Sequence, residues 1–212
     1  MTDEIPAVSI ERFLEELARG ARTLSRRDPV LRPLIKEHGV PTFRPHMDYY
    51  TTLVDSIISQ QISSRAAESI RRKLLDAFGG FFEPKTMLQA PDELLRGAGI
   101  SPQKLGYLRS LAEHVTDGRL DLPNLPNLSD DEVAAELTAV KGIGIWTAQM
   151  FLIFSLGRLD VFPVGDLGVK RGLKIAYGLP EMPTPGQAQA LAEEHRWSPY
   201  RSIVSWYMWR VS

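Results

Sequence analysis

The sequence predicts an all-α protein. Apolar residues recur with the three-to-four-residue period of amphipathic helices along most of the 212-residue chain. Capping residues stand where many of these periodic stretches begin, and glycines stand where several of them end. The alternation of apolar and polar residues that indicates β-strands is scarce. Periodicity and caps therefore agree on helices throughout the chain.

About ten helices are predicted, and they follow no repeat of fixed length. Asp28 precedes a proline, which is typical of a helix N-terminus. Ser129 and Glu132 have the spacing of a capping box, and Ser198-Pro199 is expected to cap the last helix. Residues 117–130 and 158–166 are predicted as connectors. The predicted helices cover residues 10–24, 29–38, 48–61, 65–78, 91–99, 103–115, 132–140, 146–157, 167–178, 188–195 and 200–211.

The composition excludes several classes of protein. The chain has no cysteine, which rules out disulfides, thiolate zinc sites and cysteine-ligated iron–sulfur clusters. Its four histidines are scattered without metal-site spacing, so no metal is expected. No apolar run approaches the roughly 20 residues that cross a bilayer, and the N-terminus lacks the apolar core of a secretory signal. We therefore expect a cytoplasmic protein with no membrane partner.

The charge balance gives a weaker indication. A formal net charge of −1 argues against a protein that coats nucleic acid nonspecifically. Taken alone, this composition favours an enzyme that acts on a small molecule. A local basic patch and backbone amides are enough to hold a few phosphates, so the composition is also compatible with an enzyme that acts on DNA.

The segment LTAVKGIGIWTA, residues 137–148, joins two predicted helices by a short hairpin. Gly142 and Gly144 allow a tight turn and a close approach by a partner. The amides and positive dipole end of the second helix would point at that partner, and a DNA phosphate fits without base specificity. Lys141 would add a cation, and Thr147 belongs to the same phosphate-binding hairpin. An ordinary helical corner is the alternative.

Six motifs together give the chain a recognisable family resemblance. They are DPVLRPLI, SIISQQISSRAA, GISPQKLGYLRSLA, LTAVKGIGIWTAQMF, DVFPVGDLGVKRG and RWSPYRSIVSWYMWR. On these residues the sequence resembles the helix–hairpin–helix–Gly/Pro–Asp (HhH-GPD) superfamily of DNA glycosylases, and within it the 3-methyladenine DNA glycosylase II family. The resemblance extends from about residue 28 to the C-terminus.

The resemblance implies the architecture of the whole chain. We expect one all-α unit over residues 1–212, with two lobes and a central cleft. One lobe would come from about residues 50–155 and the other from the N- and C-terminal helices, with the helix–hairpin–helix at about residues 130–156. The expected form is a short one, without the extra N-terminal α/β domain that some relatives carry.

The segment VFPVGD, residues 161–166, matches the Gly/Pro–Asp signature, and the resemblance carries the catalytic role onto Asp166. Its local sequence also predicts that Asp166 is the N-cap of the following helix. A carboxylate has two oxygens and can serve both roles. Cleavage of an N-glycosidic bond leaves an oxocarbenium-like sugar, which a carboxylate stabilises. No second acid is evident, and a base alkylated on a ring nitrogen leaves without one because it is already cationic.

Tryptophans are the candidates for a base pocket. The C-terminal motif places Trp209 at the family's pocket tryptophan, where an indole face favours a cationic methylated base. Trp146 stands where relatives with lyase activity have an attacking lysine, so the resemblance implies a monofunctional enzyme. The sequence leaves open whether Trp146 lines the pocket or the core. Trp197 and Trp206 are expected in the core.

A flipped base leaves a gap that a wedge must fill. The resemblance places Gln61 as the DNA wedge and Gln60 against the orphaned base or the adjacent backbone. For two glutamines at a helix end, a solvated cap is the alternative. The backbone carbonyls of Thr138, Val140 and Ile143 could hold a monovalent cation, and no other cofactor is expected.

The sequence thus predicts a monomeric base excision repair glycosylase. It would flip alkylated bases such as 3-methyladenine and 7-methylguanine out of double-stranded DNA and hydrolyse their N-glycosidic bonds. In a bacterium it would act at the nucleoid. A glycosylase for mismatched or oxidised bases is one alternative. A non-catalytic helix–hairpin–helix DNA-binding module is the other, and Asp166 with Trp209 argues against it.

Overall fold

The computed structural model describes residues 7–212, and all regular secondary structure in this range is helical. The all-α prediction is therefore confirmed. The described residues form twelve α-helices and one 3-10 helix (Leu122–Asn127), joined by loops. The α-helices are α1 (Ala7–Arg27), α2 (Leu31–His38), α3 (Tyr49–Ser59), α4 (Ser64–Phe78), α5 (Pro84–Gln89), α6 (Asp92–Ala98), α7 (Pro102–Thr116), α8 (Asp130–Ala139), α9 (Ile145–Phe154), α10 (Leu167–Ala176), α11 (Pro185–Glu194) and α12 (Arg201–Val211).

These helices form two compact units. The terminal unit comprises the described residues up to Met47 together with Leu152–Ser212, and the central unit is Asp48–Phe151. The boundary between them falls inside α9, after Phe151. Among the described residues, no helix combines the length and the apolar character that crossing a membrane requires.

The terminal unit is organised around the packing of α10 on α12. A side chain at Gly172 of α10 would collide with the main chain of Met208 in α12, so the glycine permits the two helices to approach this closely. Trp197 is fully buried and Trp206 is 8% exposed, which confirms both as core residues. The same core contains Leu17, Leu24, Leu31, Val169, Leu173, Ile203, Val204, Tyr207 and Met208.

A buried carboxylate, Asp28, joins separate parts of the terminal unit. Its Oδ1 accepts hydrogen bonds from the main-chain N–H groups of Val30 (2.9 Å) and Leu31 (3.3 Å), so Asp28 caps the start of α2 as its sequence predicts. Its Oδ2 accepts from the Tyr177 hydroxyl (2.6 Å) and the Trp197 indole N–H (2.8 Å). Four donors therefore compensate the burial of one carboxylate.

In the central unit, α7 packs against α3 and α5, and α4 packs against α3 and α6. Apolar side chains from α3, α4 and α7 are fully buried or nearly so: Leu53, Ile57, Ile58, Leu74, Leu108 and Leu111. Side-chain oxygens cap several helix starts as their residue types predict, and the capping box of Ser129 with Glu132 is present. These caps are Asp48 for α3, Ser63 for α4, Ser101 for α7 and Ser129 for α8.

The structure corrects three details of the sequence prediction. Helix α5 and the 3-10 helix lie in stretches for which no helix was expected, since six residues are too few to display helical periodicity. The predicted cap of the last helix was wrong. Ser198 instead donates to a carboxylate oxygen of Asp160 at 2.8 Å. The other oxygen of Asp160 accepts from the main-chain N–H of Arg201, where α12 begins.

We expect Asp28→Asn to destabilise the protein by about 2–4 kcal/mol, because the new amide group would place a donor against other buried donors. Urea unfolding followed by circular dichroism measures this change. Asp76 is exposed, so Asp76→Asn is the matched control and should stay within about 0.5 kcal/mol of the unmodified chain. Equal stabilities for the two variants would contradict a central role for the Asp28 hydrogen bonds.

Candidate functional site

The predicted hairpin lies between α8 and α9 in the central unit. Helix α8 ends before Val140, and the first helical hydrogen bond of α9 runs from the Ala148 N–H to the Gly144 carbonyl at 3.1 Å. In general, the amides in the first turn of a helix have no carbonyl one turn earlier in the same helix. Such a helix start attracts an anion through its amides and its dipole.

Glycine stands at two positions of the hairpin, and the structure explains only one of them. Gly142 has a φ of 90°, and a side chain there would collide with the ring of Tyr107. Gly142 is thus required by the backbone and by packing. Gly144 is exposed, and an added Cβ would meet nothing within 4 Å. Nothing inside the described chain explains a glycine at position 144, whereas close approach by a ligand to the start of α9 would.

The side chains around the hairpin divide between surface and interior. Lys141 is exposed, as a phosphate-binding cation must be. Ile145 and Trp146 in the first turn of α9 are 58% and 50% exposed. Trp146 is therefore not a core residue. Of the two locations that its sequence allows, the core and the base pocket, the first is wrong. Thr147 is only 7% exposed, so little of this residue is open to a direct contact with phosphate.

The predicted wedge residues lie in the junction between α3 and α4, also in the central unit. Gln60 is half-buried, and its Nε2 donates to the Gly142 carbonyl at 2.9 Å. Gln61 is exposed and has a φ of 56°, a left-handed conformation that is uncommon outside glycine. Holding a non-glycine residue there costs about 1–2 kcal/mol. The structure thus brings Gln60 to the hairpin and places Gln61 at the surface under backbone strain.

Asp166 lies at the start of α10 in the terminal unit. A turn closed by the Asp166 N–H and the Pro163 carbonyl (2.9 Å) leads into this position. Oδ1 of Asp166 accepts from the Val169 N–H at 2.8 Å, which confirms the predicted N-cap. The same Oδ1 accepts from the Trp209 indole N–H at 2.8 Å. Two donors from different helices therefore hold the half-buried carboxylate in one orientation.

Trp209 is held against Asp166 from two further sides. Its ring packs on Phe154 with centroids 5.7 Å apart and planes inclined by 32°. A Cβ added to Gly168 would lie 2.8 Å from Cδ1 of Trp209 and 3.1 Å from Oδ1 of Asp166. The absence of a side chain at position 168 therefore makes room for the indole beside the carboxylate. The structure brings together these two residues, which its sequence predicts for catalysis and for the base pocket.

The described residues contain no cluster of three or more histidine or carboxylate side chains that could hold a metal ion. The predicted monovalent site uses carbonyls instead. One of them, that of Val140, accepts a hydrogen bond from the Ile143 N–H at 3.1 Å. A carbonyl has a second lone pair, so this bond is compatible with a cation ligand.

A family model, described as HhH-GPD superfamily base excision DNA repair protein, matches residues 54–197. The chain belongs to the HhH-GPD superfamily. This match covers the wedge junction, the hairpin and Asp166, and it confirms the family resemblance on which the sequence prediction depends.

Relatives within the HhH-GPD superfamily extend the comparison over nearly the whole chain. DNA-3-methyladenine glycosylase 1 of Schizosaccharomyces pombe is 33% identical over 95% of this chain and 90% of its own length. The crystal structure of a DNA-3-methyladenine glycosidase from Bacillus halodurans has a TM-score of 0.82 at 34% identity and covers 99% of this chain and 90% of its own. A 3-methyladenine DNA glycosylase of S. pombe in complex with abasic DNA has a TM-score of 0.77 at 32% identity, over 91% and 95%. These structures confirm the predicted HhH-GPD fold.

Helix α7 contacts both the hairpin and the end of α3, which the sequence does not predict. From α7, the Lys104 ammonium donates to the Ile58 carbonyl at 2.6 Å, near the end of α3. The Tyr107 ring packs on Gly142, and Ser110 Oγ accepts from the Lys141 N–H at 3.2 Å. These three side chains recur every third residue, so they share one side of the helix. That spacing was the available signal, but it does not reveal which elements the side chains meet.

The two glycines of the hairpin make a matched test of DNA binding. Gly144→Ala should keep or slightly raise stability, by up to about 1 kcal/mol, and should weaken duplex DNA binding about tenfold because a methyl group keeps phosphate from the amides of α9. Gly142→Ala should destabilise the protein by about 2 kcal/mol or more. Urea unfolding and fluorescence anisotropy with a labelled duplex measure both effects. Wild-type affinity in Gly144→Ala would argue against a phosphate at this helix start.

Proposed function

We propose that this protein is a monofunctional DNA glycosylase that removes alkylated bases, of the 3-methyladenine and 7-methylguanine type, from double-stranded DNA. The observation that carries the proposal is the Asp166 carboxylate, whose Oδ1 is held by the Val169 N–H and the Trp209 indole. Membership of the HhH-GPD superfamily and relatives named 3-methyladenine glycosylases support the reaction class and the substrate.

The reaction requires one well-placed negative charge. When the bond between C1′ of the deoxyribose and the base nitrogen breaks, its electrons leave with the base and positive charge develops on the sugar. Asp166 stabilises that charge, while its Oδ1 stays bonded to two donors that prevent the side chain from turning away. Water then adds to C1′ and passes a proton to the Asp166 carboxylate, which returns it to solvent, and the products are a free base and an abasic site.

The substrate preference follows from the leaving group and from Trp209. A purine methylated at N3 or N7 carries a positive charge, so it departs as a neutral base without an added proton. The indole of Trp209, half-buried beside Asp166, offers an electron-rich surface that attracts such a cation. Trp146, half-exposed on α9, is the second proposed pocket residue. Normal bases lack the positive charge and gain less from both effects.

The central unit supplies the groups that hold and distort DNA. The proposed phosphate ligands are the amides at the start of α9, between Gly144 and Thr147, together with Lys141. Gln61 is the proposed wedge, and its exposed position under backbone strain supports this role, because strain of this kind concentrates at functional residues. Flipping a base costs a few kcal/mol of stacking and pairing, which the inserted side chain offsets in part.

The proposal also covers lyase activity, oligomeric state, location and a bound cation. Trp146 occupies the position at which lyase-active relatives have a lysine, so no amine nucleophile attacks the sugar and the strand stays intact. We also propose that the protein works as a monomer on DNA in the cytoplasm. A monovalent cation bound by the carbonyls of Thr138, Val140 and Ile143 would place positive charge near the phosphates of the DNA.

Asp166→Asn tests the catalytic assignment. The amide keeps an oxygen for the two donors but removes the negative charge, so we expect release of methylpurines to fall at least about a hundredfold while duplex binding is retained. Mass spectrometry of bases released from methylated DNA measures the first effect, and fluorescence anisotropy measures the second. Asp76→Asn is the control for an exposed aspartate.

Two results would contradict the proposal in different ways. Release of methylpurines by Asp166→Asn at the wild-type rate would show that Asp166 is not the catalytic group. Release of 8-oxoguanine or thymine by the wild-type protein, with no methylpurine, would leave a glycosylase but overturn its substrate class. The mass assay separates these cases because it identifies each released base.

Gly168→Ala tests the contact between Trp209 and Asp166. The added methyl group would force the indole away from Oδ1, so we expect single-turnover excision to slow about tenfold, with duplex affinity changed less than about twofold. Gly186→Ala in α11 is the control, since a Cβ there meets nothing within 4 Å. An unchanged excision rate in Gly168→Ala would mean that the indole hydrogen bond does not orient the catalytic carboxylate.

A further inference from the structure

The end of α3 is anchored by a lysine that the proposed reaction does not use. Lys104 of α7 is partly buried, and its ammonium donates to the Ile58 carbonyl at 2.6 Å. Burial lowers the pKa of Lys104 below its usual value. Ile58 lies in the last turn of α3, three residues before Gln61. Main-chain carbonyls in this turn lack helical partners, and a cation there also interacts favourably with the helix dipole.

A second anchor follows immediately in the chain. The Gln60 side chain donates to the Gly142 carbonyl of the hairpin at 2.9 Å. On the far side of Gln61, Ser63 accepts from the Ala66 N–H at 3.3 Å and caps α4. The backbone is therefore held on both sides of Gln61, whose φ of 56° lies between these fixed points. The anchors explain how a strained conformation persists at an exposed residue.

We propose that Lys104 is a positioning residue for the DNA wedge, and that it acts with Gln60 to hold Gln61 in its left-handed conformation before DNA binds. This inference rests on the proposed function, because it assigns a role toward base flipping. Lys104 fixes the end of α3, and Gln60 connects the junction to the hairpin. The hairpin and the wedge thus form one preorganised surface. A phosphate bound at the hairpin would then lie at a fixed position relative to the inserted Gln61.

The position of Lys104 distinguishes it from a phosphate ligand. Its ammonium is engaged with a main-chain carbonyl, whereas Lys141 is exposed on the hairpin. A lysine that neutralises a phosphate contributes to the salt dependence of DNA affinity, with a slope of about 0.9 for each phosphate in duplex DNA. Lys104→Met should leave that slope unchanged, and Lys141→Met should reduce it by about that amount.

The experiment measures single-turnover excision of 3-methyladenine from duplex DNA by the full chain. We expect Lys104→Met to slow excision about tenfold, and Lys104→Arg to recover to within about twofold of the wild-type rate. The decisive comparison repeats Lys104→Met in a Gln61→Ala background. If Lys104 acts through Gln61, the second change adds no more than about twofold. Lys85→Met, at an exposed lysine of α5, is the control and should leave the rate unchanged.

Three results would overturn the inference. These are a wild-type rate in Lys104→Met, an equal tenfold loss in the Gln61→Ala background, or a salt slope that falls as it does for Lys141→Met. Should Lys104→Met fail to fold, Gln60→Ala tests the other anchor by the same comparison with Gln61→Ala. If the wild-type protein releases no methylpurine, the proposed function itself fails. If it does release them but the pattern above is absent, only the role of Lys104 fails.

Discussion

The hydrogen bonds that converge on Oδ1 of Asp166 are the interaction on which the candidate active site depends. One donor is local and follows from the start of α10, and the other comes from Trp209, 43 residues later. Two glycines of α10 allow this second contact: Gly172 lets α12 approach closely at Met208, and Gly168 leaves room for the indole. A packing contact in the core therefore sets the position of the neighbouring tryptophan, and the tryptophan sets the orientation of the carboxylate.

The sequence contains most of the local structure of this protein. The caps at Asp28, Ser63 and Ser129 and the N-cap role of Asp166 are all present, because each depends on residues within a few positions. The sequence does not predict α5 or the 3-10 helix, since six residues are too few to show a helical period. The failed prediction at Ser198 has a different cause. The main-chain N–H of Arg201, the first residue of α12, donates to the carboxylate of Asp160, 41 residues earlier in the chain.

The candidate site shows the same division between local and distant information. Family resemblance indicated Asp166, Trp209, Gln60 and Gln61, but neither the resemblance nor the spacing revealed their contacts. Gln60 meets a carbonyl 82 residues away, and Lys104 meets one 46 residues away. Such contacts depend on how helices pack, and several packings satisfy the same hydrophobic pattern. The backbone strain at Gln61 is likewise a result of tertiary anchoring, because nothing in the local sequence favours a left-handed glutamine.

The terminal unit is discontinuous in sequence, and this has a consequence for its synthesis on the ribosome. The central unit can complete its internal contacts once its single continuous stretch, Asp48–Phe151, has emerged. Asp28 emerges early, yet its partners Tyr177 and Trp197 follow 149 and 169 residues later. Nascent chains can therefore carry a folded central unit before the terminal unit is complete. Asp166, the proposed catalytic residue, thus reaches its final surroundings last, because its partner Trp209 lies in the last helix of the chain.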